Sequence, residues 1–125
     1  MQERNNTGKS TEQGIALTII IFMVIVTASF AILSPGSFGG EDNISHFKIA
    51  RYAFRYPSLF IDQWGKPVFT ILASPFAQFG FNGIRIFNVL MSALTCWFGF
   101  LTIRKFNYSA AWSVVVLTWF APFTW

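Results

Sequence analysis

The stretch "EDNISHFKIARYAF", residues 41–54, gathers Asp42, His46, Lys48 and Arg51 in a chain that is only 11% charged. These residue types open three kinds of chemistry. A positioned carboxylate can take a proton from an attacking group. A guanidinium and an ammonium can hold a phosphate, the first as a planar fork and the second as a point charge. Asp42 and His46 are four apart, so they share a helix face and could offer two ligands to a divalent metal. That option is short of partners, because His46 is the only histidine and a closed metal site takes about four ligands. Plainer uses stand beside each of these. Asp42 precedes a helical pattern and could cap it. Lys48, Arg51 and Arg55 fall at i, i+3 and i+7, a single basic stripe whose ordinary use is contact with lipid headgroups.

The elements that must position these residues are written in the hydropathy. Of 125 residues, 54% are hydrophobic and 19% aromatic, whereas soluble domains carry about 25% charged residues. The net charge of +4 is scattered and forms no basic block of the kind that binds nucleic acid. An anionic membrane surface or a phosphate-bearing ligand accounts for it better. The single cysteine, Cys96, can form no disulfide within the chain.

An all-α, multi-pass membrane architecture follows. Residues 1–13 are polar and without period, the pattern of a disordered tail. Residues 14–33 carry no charge, and about 20 helical residues cross a bilayer core of about 30 Å, so they are expected to span. A cleaved signal peptide competes, but the run exceeds its usual apolar core of about 7–15 residues and no small-residue cleavage site follows. Residues 34–85 are expected to form a loop with two membrane-surface helices, at about 41–56 and 67–80. Pro57 would end the first and Pro67 would open the second. Residues 86–103 form a second expected span, bracketed by Arg85 and Arg104–Lys105. Residues 110–125 read as the start of a third that breaks off in mid-run, as in a portion of a longer protein. Basic residues tie at four each between the tail with the Arg104–Lys105 turn and the loop from Ser34 to Gly83. The pair nearest a helix end, Arg104–Lys105, leans toward an external loop.

In this order of parts the chain resembles the start of the family C glycosyltransferases, the group of protein O-mannosyltransferases and lipid A aminoarabinose transferases. Their first external loop typically reads D-E-x-x-Y-x-x-I-A-R, with K-P-P downstream. Here "DNISHFKIAR" supplies Asp42, Ile49, Ala50 and Arg51, and "WGKPVF" supplies Lys66 and Pro67. Asn43 stands at the usual second acid, His46 at the usual tyrosine and Val68 at the second proline. The family's second acid therefore has no carboxylate here.

The resemblance implies a bacterial cytoplasmic (inner) membrane enzyme that moves a sugar from a polyprenyl-phosphate donor to a lipid or protein acceptor. Asp42 would be the base that activates the acceptor hydroxyl. Lys66 and Arg51 would face the donor phosphate, where negative charge grows in the transition state. His46 would hydrogen-bond the substrate, and the cofactor is left open: a divalent metal is compatible with the reading but not indicated. Asp62 could be a second acid or a loop aspartate; Trp64 could stack on a sugar or anchor at an interface. The family's fold needs many more helices, so 125 residues alone are expected to be inactive. The alternative is a small membrane protein whose amphipathic loop binds lipid or a partner subunit.

Overall fold

The computed structural model describes residues 2–35, 40–106, 108 and 110–120. Its elements are α1 (Gln2–Leu33), α2 (Glu41–Tyr52), a 3-10 turn (Pro57–Ile61), α3 (Pro67–Ala77), α4 (Gly80–Lys105) and α5 (Ser113–Trp119). No strand occurs among the described residues, in keeping with the all-helical expectation.

Two stretches, Ser10–Leu33 and Gly80–Lys105, are long and apolar enough to cross a membrane. At 1.5 Å per residue they measure about 36 and 39 Å, against a hydrocarbon core of about 30 Å. Only 11% and 22% of their most apolar windows are buried. A core helix of a soluble protein would be mostly covered, whereas exposed Ile21, Phe22, Ile25 and Phe30 suit lipid.

Several boundaries differ from expectation. Residues 2–13 continue α1 as helix, where the polar composition predicts a disordered tail. Gln, Glu and Lys are good helix formers, and prolonging an existing helix costs far less than nucleating one. The second apolar helix starts at Gly80, six residues before the expected 86. Gly80 has φ +77° and supplies the left-handed turn that separates α3 from α4. At the far end, 110–112 form a turn and α5 covers Ser113–Trp119. Residues 121–125 of the expected third span lie outside the described residues.

The chain forms two compact units, 1–27 with 89–125, and 28–88. In the first, Val115 and Trp119 of α5 and Phe100 of α4 are buried. The Cys96 thiol donates to Val115 O at 3.6 Å. Arg104 donates to Gln13 Oε1 at 2.9 Å, and Glu12 accepts the Ala110 N–H at 3.0 Å.

The second unit holds every candidate site residue. Here α2 packs on α3 through small residues. Ala50 and Ala53, and Thr70, Ala73, Ser74 and Ala77, are all fully buried. Positions 70, 73, 74 and 77 make one helix face, and small side chains there let helix backbones approach closely. Phe47 stacks on Phe81 at 4.2 Å, and Phe69 and Phe76 close on Phe87 at 5.8 and 5.3 Å. Arg85 ties α4 to the end of α1: its Nη1 donates to Ala31 O at 2.7 Å and Ser34 O at 3.1 Å. Those are carbonyls left over where α1 stops, the groups a cation near a helix C-terminus satisfies.

Candidate functional site

The most constrained element is the turn Asp62–Pro67. One carboxylate oxygen of Asp62 accepts the N–H of Trp64 at 2.8 Å and of Gly65 at 3.1 Å, so Asp62 closes its own loop. Gly65 is buried, and a Cβ there would lie 2.7 Å from Ile49 Cγ2 and 3.0 Å from Thr70 Oγ1. Only glycine lets α2 approach this closely. Thr70 Oγ1 donates back to Gly65 O at 2.7 Å, and Ser74 Oγ donates to Thr70 O. Lys66 follows with φ 54° and ψ 90°, a sparsely populated conformation for a residue with a Cβ. Pro67 then sets the first position of α3, where its missing N–H costs nothing. The result is an exposed lysine on a backbone fixed from both sides.

Asp42 is not the cap of α2. The N-cap is Gly40, which makes no side-chain cap bond. Glu41 and Asp42 lie inside the first turn, where negative charge complements the helix dipole. Asp42 is exposed. Ile49, the residue that touches Gly65, lies seven positions further on. The helix rise between Asp42 and that contact is therefore about 10 Å.

His46 is half-buried, edge-on to Phe69 at 5.9 Å. Its Nδ1 is buried and has no hydrogen-bond partner among the described residues. No three His, Cys, Asp or Glu side chains gather into a possible metal site among the described residues.

Arg51 goes elsewhere than expected. Its Nη1 makes a long 3.5 Å bond to Ala77 O, and the guanidinium lies over the Phe47 ring at 5.8 Å. Gln78 Nε2 donates to Arg51 O and to Ser74 O, both at 3.0 Å. Arg51 thus sits at the C-terminal end of α3 and Lys66 at its N-terminal end. The 11 residues between them amount to about 16 Å. The two cations expected near one phosphate thus stand at opposite ends of α3.

The basic stripe is also shortened. Helix α2 ends at Tyr52, short of the expected 56, and the N–H groups of Arg55 and Tyr56 both donate to Tyr52 O at 2.9 Å, a closing turn that carries Arg55 beyond the regular helix. Likewise α3 stops at Ala77, not 80.

Gly65, Thr70 and Gln78 are the positioning residues that the sequence reading passes over. A signal for Thr70 and Ser74 was present: two hydroxyls four apart in an apolar run. Gln78 and Gly65 carried none, since what fixes their role is the approach of Arg51 and Ile49 from α2.

Comparison with known proteins adds no assignment: no family model, no curated protein and no solved structure matches the chain.

Proposed function

We propose that the chain is the N-terminal portion of a multi-pass glycosyltransferase of the bacterial cytoplasmic membrane. It transfers a sugar from a polyprenyl-phosphate donor to an acceptor hydroxyl at the external face. The supporting observation is the disposition of Asp42 and Lys66. Both are exposed, both begin helices that pack on each other, and about 10 Å of helix rise lies between Asp42 and the contact beside Lys66. In this reading the sugar lies between a base on α2 and a phosphate-binding cation at the start of α3.

In this reading the acceptor oxygen attacks the anomeric carbon and passes its proton to Asp42. The bond from the anomeric carbon to the phosphate oxygen breaks, and the polyprenyl phosphate leaves with the electron pair. Lys66 meets the charge that grows on it. The constrained turn fixes the backbone from which the flexible lysine stem reaches out, and the ammonium acts as a point charge. His46 has Nε2 to offer a sugar hydroxyl, Nδ1 being buried. Arg51 braces α2 against the end of α3.

The test is transfer from polyprenyl-phosphate-linked sugar by a full-length version carrying Asp42→Asn. Transfer is expected to vanish while membrane insertion and helicity persist, and Lys66→Gln is expected to weaken it. Undiminished transfer by Asp42→Asn removes the base from the mechanism. A harmless Asp42→Asn together with no transferase activity in the parent would favour the non-enzymatic reading, a loop that binds lipid or a partner subunit.

A further inference from the structure

The connection from the end of α2 to the start of α3 concentrates two residue classes on its surface. Tyr52, Phe54, Tyr56, Ile61 and Trp64 are exposed, Ile61 at 80% and Trp64 at 62%. Between them and beside them stand the exposed cations Lys48, Arg55 and Lys66, with the Arg55 guanidinium over the Tyr56 ring at 5.6 Å. The only acid after Asp42 in the whole sequence is Asp62, and its carboxylate is turned onto the Trp64 and Gly65 N–H groups. The outward charge of this tip is therefore positive.

From this pattern we infer that the tip docks on the anionic phospholipid headgroups of the bilayer that carries α1 and α4. Aromatic side chains with one polar end settle at headgroup depth. Cations near an anionic surface add attraction there, with apolar neighbours buried just below. A single free phosphate fits less well, because the cations come from α2, from the turn after it and from the start of α3, with rings between them. The inference rests on the membrane reading of the two apolar helices. Its test is separate from sugar transfer, because the variants it uses, at Lys48 and Arg55, leave Asp42 and Lys66 in place.

The experiment uses the full chain in phosphatidylcholine vesicles with and without phosphatidylglycerol. A polarity-sensitive dye is attached at Ser58→Cys, an exposed position in the 3-10 turn; Cys96 is fully buried and stays unlabelled. Phosphatidylglycerol is expected to shift the dye to its apolar emission. Lys48→Gln and Arg55→Gln should each lower the docked-to-free ratio about fivefold, and the pair about thirtyfold. High salt should reproduce that loss by screening, and circular dichroism should stay that of the parent. Equal emission in neutral and anionic vesicles overturns the inference. So does a shift produced in neutral vesicles by inorganic phosphate or by an acidic peptide, which would identify a free-anion or protein site instead.

Discussion

Gly83→Ala should loosen the unit that carries the candidate site, although alanine is the better helix former. Gly83 is buried in the first turns of α4. A Cβ added there would overlap the carbonyl oxygen of Phe76, lie 2.9 Å from its carbon and 3.0 Å from Phe79 Cβ. Backbone cannot change rotamer, so α3 and the start of α4 would have to part. Replacing an interior helical glycine by alanine gains about 1 kcal/mol. Forcing extra volume into a packed contact costs about 1–3 kcal/mol, and a backbone clash belongs at the upper end. The net expectation is a loss of about 2 kcal/mol.

Gly99→Ala supplies the control. Its Cβ would meet Val114 Cγ1 at 3.5 Å and Thr118 Oγ1 at 3.8 Å, ordinary contact, so the helical gain should survive. Gly14, with nothing within 4 Å, should behave likewise. Amide hydrogen exchange of the full chain in neutral detergent reads each helix separately. Gly83→Ala should speed exchange across α3 about thirtyfold, the equivalent of 2 kcal/mol, whereas Gly99→Ala should leave α3 unchanged. Protection of α3 equal to or above the parent in Gly83→Ala would refute the close-approach argument. The same contact shapes an apolar cleft of about 340 Å³ lined by Ile32, Phe76, Phe79, Asn82, Gly83 and Ile86.

Other perturbations test the turn and its anchors. Lys66→Gly should raise stability by about 1 kcal/mol in denaturant unfolding, since the strain relieved, about 1–3 kcal/mol, exceeds the added unfolded-chain entropy. Lys66→Gln should not, and only the proposed transferase activity should suffer in both. Asp62→Ala removes a half-buried acceptor of two backbone N–H groups and should cost about 1–2 kcal/mol, read as faster exchange at Trp64 and Gly65. Arg85→Gln leaves the carbonyls of Ala31 and Ser34 without their cation. It should cost about 2 kcal/mol and fray the last turn of α1, measurable by exchange at Ser34.

Regular periodicity and hydropathy carry most of what the sequence determines about this protein. An uncharged run of twenty residues can be satisfied only by a helix among apolar surroundings, so both long helices and the helical class are legible at once. Pro57 and Pro67 announce the breaks around the 3-10 turn and α3, because proline acts locally. The sequence places Asp42 and Lys66 at the starts of two helices for the same local reason.

What only the tertiary structure decided is which residues meet. Helix α2 ends at Tyr52, so Arg55 is carried by a closing turn and not by the helix. Arg51 turns to the end of α3, because those carbonyls are brought to it by packing, and no spacing in the chain records that. Gly65 reads as a loop residue until Ile49 arrives against it, and His46 becomes a ring edge-on to Phe69 with one nitrogen buried. Helix propensity and hydropathy belong to single segments. Close approach and hydrogen bonding between α2 and α3 belong to pairs of segments about twenty residues apart, which is why the elements were legible and the assembly of the site was not.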